Sequence, residues 1–471
     1  MFLVAIEATI VATAMPQIVA QIGGLDLYSW VFSSFLLTQT ALTVVFGKLA
    51  DLYGRKPVML AGIGIFLVGS ILAGFAWSMP SMIAFRLIQG MGAGTIHPVA
   101  MTIVADLYPA RERGKVQGYL ASVWAISAVI GPMVGGLIID NVSWAWIFWI
   151  SIPIGLAAAI GFVFYLREEV HHESRSVDYA GAVLFTATVA TLMFSLTMAG
   201  NGHSDAASLG AFGVCLFFIL FVAQERRAPD PMVSFSLWRR RPVATVNGAA
   251  VLAGMILMGL TTFLPMYVQG VLHRSPTVAG FTLTMLVLGW PLGATVCARA
   301  FPVFGLRRMM IIGGALMPAG AAVFVGLNSE SSPVLAAGGS LVVGFGMGLL
   351  AVSSMILIQG IVDWSQRGGV TASNLFARNL GSTLGAAVFG AVLNIGLTQA
   401  DGIGAVPSSR LLQIFEKGPG TDPILVAALQ GALHLTFCIM FMVSLFVVAL
   451  VVMVPPTVAG DLRETSAEKR G

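Results

Sequence analysis

Long runs of apolar residues follow one another along almost the whole chain, and short polar segments separate them. A helix of about 20 apolar residues crosses the hydrocarbon core of a bilayer, so each run is a predicted membrane span. There are about fourteen such runs. They lie near residues 1–20, 28–48, 57–77, 80–106, 115–139, 146–166, 178–199, 206–224, 242–269, 276–299, 306–327, 333–358, 369–398 and 425–455. The pattern therefore predicts an all-α membrane protein.

The composition agrees with this prediction. Hydrophobic residues make up 57% of the chain and charged residues only 10%, whereas about a quarter of the residues in soluble domains are charged. Glycine is abundant, with 54 of 471 residues, which suits helices that pack closely in lipid. The first apolar run contains Glu7 and has no basic segment before it, so we interpret it as a membrane helix and not as a signal peptide.

Basic residues are concentrated in alternate loops. Apart from Arg86 and Arg378 inside spans, and Arg274, Arg410 and Lys417 on one side, the Lys and Arg residues lie on the opposite side. Their clusters include Arg55-Lys56, Arg111 to Lys115, Arg226-Arg227, Arg239 to Arg241 and Arg307-Arg308. Positive loops face the cytoplasm, which predicts that both termini are cytoplasmic. These loops also account for the net charge of +4 without a nucleic-acid partner.

Nothing in the sequence indicates catalysis. Cys215, Cys297 and Cys438 lie in apolar sequence, and their spacing matches neither a metal site nor a disulfide framework. No phosphate-binding Gly-Lys-Ser/Thr loop is present. A membrane enzyme or sensor, the alternative from a different class, would normally add a soluble domain, but the longest loop has about two dozen residues. We therefore predict a protein that is not an enzyme and holds no metal.

Similar features recur about 250 residues apart along the chain. The four pairs are Gly54-Arg55-Lys56 with Gly305 to Arg308, Gly90-x-x-x-Gly94 with Gly344-x-x-x-Gly348, Arg113-Gly114 with Arg367-Gly368, and Gly131-x-x-x-Gly135 with Gly381-x-x-x-Gly385. This repeat predicts two parallel six-helix halves. The predicted domains are residues 1–166, two linker helices in 167–227, and 228–471 with a cytoplasmic tail.

Four motifs occupy fixed places on the first five predicted helices. They are Ile6-Glu7 to Pro16 on the first, the turn with Gly47, Asp51, Gly54, Arg55 and Lys56 after the second, Arg86, Gln89 and Gly90 on the fourth, and Trp124 to Gly136 with Gly131, Pro132, Gly135 and Gly136 on the fifth. These motifs resemble those of the major facilitator superfamily, and within it the fourteen-helix drug:proton antiporter group of EmrB/QacA type. The resemblance covers nearly the whole chain.

The resemblance implies a major facilitator fold of two six-helix bundles with two extra central helices. It also implies a cytoplasmic gate formed by the turn after helix two together with Asp106, and proton transfer through Arg86 beside the first helix. Two positions depart from the usual pattern. Glu7 stands where the group has Asp, which keeps a carboxylate, and Ser127 replaces a Gly of the helix-five motif.

Glu7 is the acidic residue that lies well inside a predicted span. Ionisable groups at membrane depth are costly and mark functional sites. We therefore expect Glu7 to bind a proton and the substrate in turn, exchanging one for the other. The alternative is a Glu near the inner surface on a helix that starts late. Counting along the helices leaves about 10 Å in depth between Glu7 and Arg86. Long side chains or a water would bridge that gap. The alternative to a coupling role is that Arg86 holds helices together.

Other polar residues on the spans are candidates for a substrate cavity. Asn374 and Arg378 share one face because they are four residues apart, and Gln39 lies on the second helix. Each has the alternative of bracing a neighbouring helix. The 23 Met and 29 Phe residues supply adaptable apolar surface, which favours hydrophobic substrates.

We therefore predict a multi-pass exporter in a bacterial inner membrane that moves hydrophobic, cationic drugs by alternating access. The proton gradient would drive it, with no cofactor. The alternative on the same fold is an exporter of a native lipid, siderophore or other metabolite. A periplasmic adaptor is a further partner that the sequence leaves open. Because the sequence starts within the first predicted helix, further residues before Met1 are also an open alternative.

Overall fold

The computed structural model describes residues 1–107, 123, 126–127, 130–131, 133–166, 178–200, 203–228, 238–362, 367–398, 414 and 422–455. These residues are almost entirely helical and contain no β-strand. The helices are α1 (Phe2–Ile22), α2 (Tyr28–Tyr53), α3 (Arg55–Gly74), α4 (Met79–Leu107), α5 (133–141), α6 (Trp146–Trp149), α7 (Ser151–Tyr165), α8 (Tyr179–Gly200), α9 (Ser204–Arg227), α10 (Arg241–Gly270), α11 (Pro276–Phe304), α12 (Leu306–Val325), α13 (Pro333–Gly360), α14 (Arg367–Thr398) and α15 (Pro423–Val452).

The predicted all-α membrane architecture is confirmed. Eleven of the described helical stretches are long and apolar enough to cross a membrane. In addition, α1 and α2 contain 21 and 26 residues, lengths that match the hydrocarbon core at 1.5 Å per residue. Most of the predicted span at 115–139 lies outside the described residues. The total of about fourteen spans stays a prediction.

The chain divides into two compact units. Unit 1 comprises Met1–Met232, Thr261–Phe281 and Ala386–Leu433, and unit 2 comprises Val233–Leu260, Thr282–Gly385 and His434–Gly471. The predicted domain boundaries after residues 166 and 227 remain a prediction.

In unit 1, glycines bring α4 into direct backbone contact with two neighbouring helices. A Cβ atom at Gly94 would lie 2.7 Å from the carbonyl oxygen of Gln39 on α2, and one at Gly92 would lie 2.6 Å from that of Gly62 on α3. Real Cβ atoms do not approach so closely, so only glycine permits these contacts. The backbone of α4 is thereby fixed between α2 and α3.

Unit 2 contains the same arrangement in the positions that the repeat predicts. Gly344 and Gly348 of α13 face the backbone of α11, as Gly90 and Gly94 of α4 face α2. Gly346 faces Gly313 of α12, as Gly92 faces α3. The matching contacts support the internal repeat because each glycine occupies an equivalent place inside its own unit.

The turns that precede α3 and α12 also match. Gly54 has φ 95° and ψ 152°, and Gly305 has φ 84° and ψ 151°. This positive-φ region is one that residues with a Cβ rarely adopt, whereas glycine enters it without steric cost. The two turns therefore redirect the chain in the same way.

Unit 1 includes segments that are distant from its first helices in sequence. Three hydrogen bonds connect these segments to α1, α2 and the short loop between them: Tyr28 Oη to the Thr262 oxygen (3.1 Å), Gln269 Nε2 to the Thr13 oxygen (3.1 Å) and Asn394 Nδ2 to the Asp26 oxygen (3.2 Å). Helix α8 joins α2 through a 2.6 Å hydrogen bond from Trp30 Nε1 to Thr197 Oγ1. The sequence pattern gave no signal for these contacts.

Candidate functional site

A buried ion pair joins α1 to α4. Arg86 donates a hydrogen bond from a terminal guanidinium nitrogen to Glu7 Oε1, and the side chains are 2% and 0% exposed. Burial of both groups strengthens their attraction, although each has lost its hydration. The second carboxylate oxygen, Glu7 Oε2, is buried and has no hydrogen-bond partner among the described residues. Arg86 therefore holds one oxygen of a carboxylate that is sealed from solvent.

The remaining surroundings of Arg86 come from α2, α3 and α4. Its Nε donates to the Val31 oxygen at 3.3 Å, and its guanidinium carbon lies 4.2 Å from the ring centroid of Phe35. Arg86 also donates to Gln89 Oε1 at 2.6 Å, and Gln89 Nε2 donates to Ser70 Oγ at 2.8 Å. Residues of α1, α2 and α4 therefore contact the guanidinium directly, and α3 supports it through Gln89.

Helix packing explains why this network is tight. Gly69, next to Ser70 on α3, lies directly against Gln89: a Cβ at Gly69 would be 2.6 Å from the Gln89 Cα atom. Arg86 and Gln89 share a face of α4 because they are three residues apart. The side chains of Glu7 and Arg86 meet directly. Of the two ways predicted to bridge the depth of about 10 Å counted along ideal helices, the structure shows contact through the long side chains.

Sequence reasoning found Glu7, Arg86 and Gln89 but missed Val31, Phe35 and Ser70. Phe35 lies in an apolar run and Ser70 is one small polar residue on α3, so neither stood out in the sequence. Only the register between α2, α3 and α4 brings them to Arg86.

The turn after α2 has a structural role in addition to the predicted gate. Lys56 Nζ donates to the carbonyl oxygens of Val163 and Leu166, at 2.8 and 2.9 Å. These carbonyls end α7, where a cation satisfies unpaired acceptors and interacts favourably with the helix dipole. The side chains of Asp51 and Asp106 lie outside those the structure describes, so the predicted charge pairs of the gate stay a prediction.

We expect Lys56→Met to destabilise the protein by about 1 kcal/mol, because the end of α7 loses two charge-assisted hydrogen bonds. Thermal unfolding of the purified protein in detergent measures this change. Lys56→Arg, which keeps the charge and donors, is the control and should lie nearer to wild type. Equal unfolding temperatures for Lys56→Met and wild type would contradict this role.

The glycines of the helix-five motif approach α1 and α11. A Cβ at Gly135 would lie 2.7 Å from Thr13 Oγ1 of α1, and one at Gly136 would lie 2.6 Å from the Thr277 Cα atom. Gly131 is buried and helical, whereas Pro132 lies outside the described residues. Helix α5 therefore packs directly on the helix that carries Glu7.

The other cavity candidates occupy separate surroundings. Gln39 is half-buried on α2 in unit 1, and its backbone carbonyl faces Gly94. In unit 2, Asn374 Nδ2 donates to Asn247 Oδ1 of α10 at 3.0 Å, so this amide braces two helices. Arg378 is half-buried, and its guanidinium carbon lies 5.5 Å from the Trp290 ring centroid. No group of three or more His, Cys, Asp or Glu residues within the described part of the chain is arranged to bind a metal.

The family model of the Major Facilitator Superfamily matches residues 1–386. The chain belongs to this superfamily. It is similar to multidrug resistance protein 3 of Bacillus subtilis, with 35% identity over 395 residues that cover 82% of this chain and 76% of the relative. It is also similar to the multidrug transporter protein MdtP of the same organism, with 32% identity over 84% of this chain and 73% of the relative.

Solved structures of the superfamily share the fold. A bacterial homologue of the human lysosomal transporter Spinster, in an inward-facing and occupied conformation, matches with a TM-score of 0.62 and 17% identity over 96% of this chain and 94% of that protein. A D-xylose-proton symporter matches with a TM-score of 0.62 and 14% identity over 95% and 94% of the two chains. As a member of the Major Facilitator Superfamily, the protein is a multi-pass membrane transporter and not an enzyme.

Proposed function

We propose that this transporter exports hydrophobic, positively charged compounds across the cytoplasmic membrane in exchange for protons. The observation that carries this proposal is the buried Glu7–Arg86 pair, in which one carboxylate oxygen has no hydrogen-bond partner among the described residues. The names of the two Bacillus subtilis relatives support export of several drugs. The proton gradient would supply the energy, and the proposal requires no cofactor.

Competition at a single carboxylate provides the coupling. An ionised Glu7 attracts either a proton or a cationic group, and binding of either one excludes the other. Arg86, on α4, would keep the carboxylate of Glu7 in place, while Gln89 and Ser70 fix the direction of the guanidinium. Release of a proton to the cytoplasm would then accompany loading of substrate.

Alternating access would open the site to each side in turn. The turn with Gly47, Asp51, Gly54 and Arg55, together with Asp106, would close the cytoplasmic side by charge pairs that break on inward opening. Such pairs contribute little individually, about 0–1 kcal/mol, but this is enough to bias two states of similar energy. With basic loops inside, both termini would be cytoplasmic.

The test is proton release on addition of ethidium to purified protein in liposomes, with wild type beside Glu7→Gln. We expect the wild type to release protons and to transport ethidium, and Glu7→Gln to do neither, because the amide cannot ionise. Glu7→Gln keeps an oxygen that accepts from Arg86, and its folding is checked by size-exclusion chromatography.

Glu7→Asp is the matched variant, since it restores a carboxylate and should recover proton release in part. Equal ethidium transport by wild type and Glu7→Gln would reject Glu7 as the coupling site. Absence of ethidium transport in both proteins would reject the cationic substrate.

Export of a native metabolite is the second candidate. The Acurin A biosynthesis cluster MFS-type transporter of Aspergillus aculeatus is 32% identical over 411 residues, which cover 83% of this chain and 73% of the relative. Co-purification of a lipid or metabolite, with no binding of lipophilic cations, would favour this candidate.

A further inference from the structure

Two arginines lie within predicted membrane spans, and their surroundings differ. Arg86 is 2% exposed and paired with Glu7. Arg378 lies on α14, about 16 Å along the helix from its first residue, Arg367. Its guanidinium forms no hydrogen bond or ion pair with the described residues and faces the Trp290 ring. A cation at this depth is costly unless something neutralises it.

The described helices of unit 2 offer no carboxylate for that purpose. The sequences of α10, α11, α12, α13, α14 and α15 contain neither Asp nor Glu. Among the described residues of unit 2, the only acidic one is Glu330, in the loop between α12 and α13. The positive charge of Arg378 is therefore not balanced by any of the helices around it.

Close backbone contacts fix both partners of the Arg378–Trp290 pair. The carbonyl oxygen of Arg378 lies against Gly254 of α10, and the carbonyl oxygen of Trp290 lies against Gly348 of α13. In both places a Cβ would overlap the carbonyl. Neighbouring helices therefore fix the backbone positions of both residues. Both side chains are half-buried, so neither is sealed inside the protein.

We propose that Arg378 and Trp290 bind the anionic group of an amphipathic organic anion. A guanidinium presents a planar fork of donors that matches two oxygens of a carboxylate or phosphate. The indole ring beside it provides a flat apolar surface for an aromatic or hydrophobic part of the same molecule. The ligand class is thus an aromatic or amphipathic carboxylate or phosphate. The substrate aspect rests on the proposed transport function, whereas anion binding itself does not require proton coupling.

The same oxyanion chemistry occurs in cargo and in lipid headgroups. The experiment therefore uses the full chain in nanodiscs of phosphatidylcholine, and in matched nanodiscs that also contain phosphatidylglycerol. The probes are 2-naphthoate and its uncharged methyl ester, which share the ring system. Their affinities are measured by equilibrium dialysis for wild type, Arg378→Gln, Arg378→Lys and Trp290→Leu.

In phosphatidylcholine, wild type should bind naphthoate at least about tenfold more tightly than the ester, as expected for a charge-assisted contact. Arg378→Gln should remove this preference, Arg378→Lys should keep part of it, and Trp290→Leu should weaken both probes. Arg308→Gln, at an exposed arginine, is the control and should behave as wild type. If phosphatidylglycerol suppresses naphthoate binding only when Arg378 is present, the natural occupant is a lipid phosphate. If phosphatidylglycerol leaves naphthoate binding unchanged, the natural occupant is cargo.

Equal affinity of wild type for naphthoate and ester would overturn the proposal, as would an unchanged preference in folded Arg378→Gln. Unfolding temperature identifies variants that are misfolded, and Arg378→Lys then carries the test. Since the assay needs no proton gradient, its failure and a failure of Glu7 coupling are separate results.

Discussion

Arg86→Met is expected to destabilise the protein by about 3–5 kcal/mol, the range for removal of one partner from a buried ion pair. The variant leaves the carboxylate of Glu7 fully buried without its cation, and Gln89 and Val31 also lose the donors that now reach them. Chemical unfolding of the purified protein in detergent measures the change. The yield of monodisperse protein should fall as well.

Two further variants distinguish the broken pair from a simple loss of packing. Glu7→Gln/Arg86→Met should recover most of the lost stability, because no charge remains buried alone. Arg378→Met makes the same substitution at an arginine that has no carboxylate partner among the described residues, so we expect no loss of stability there. The ion-pair explanation fails if the double variant is as unstable as Arg86→Met.

Gly344→Ala is expected to cost about 3 kcal/mol, at the upper end for overpacking of a well-packed interior. A Cβ at this position would overlap the carbonyl oxygen of Leu286, and backbone atoms cannot move aside without displacing α11. The apparent unfolding temperature should fall clearly, and the variant should aggregate earlier during purification.

Gly338→Ala is the matched control because it lies on the same helix, α13, with no atom within 4 Å of the added Cβ. We expect its effect to stay within about 0.5 kcal/mol, as for most exposed substitutions. Similar losses for both variants would contradict the contact with Leu286 as the cause, since alanine has a higher helix propensity than glycine.

Hydropathy and motif spacing predicted the helices and the main partners of the site. The rule that about 20 apolar residues form a span located most helices within a few residues. Intramembrane charge singled out Glu7, Arg86 and Arg378, since such residues are rare at membrane depth. The paired glycine motifs predicted a repeat, and the contacts of Gly90 and Gly344 with equivalent neighbours support it.

The remaining features depend on how helices slide and rotate against each other, which hydropathy does not encode. Phe35 and Ser70 reach the Arg86 network only through the register of α2 and α3 with α4. Likewise, Lys56 was predicted as part of a charged turn, but its contact with the end of α7 depends on where that helix stops. Trp290 gave no sequence signal because one aromatic residue in an apolar run is ordinary.

Unit 1 brings together segments that are far apart in the sequence, and this affects how the protein is made. Its hydrogen bond from Asn394 to the Asp26 oxygen joins residues 368 positions apart, and two others join residues 234 and 256 positions apart. A ribosome extends a chain at about 5–20 residues per second, so the first helices wait for tens of seconds before these partners are synthesised. During that interval Tyr28 and the backbone oxygens of Thr13 and Asp26 lack these contacts, and nascent chains truncated before residue 386 should remain more sensitive to protease than the complete protein.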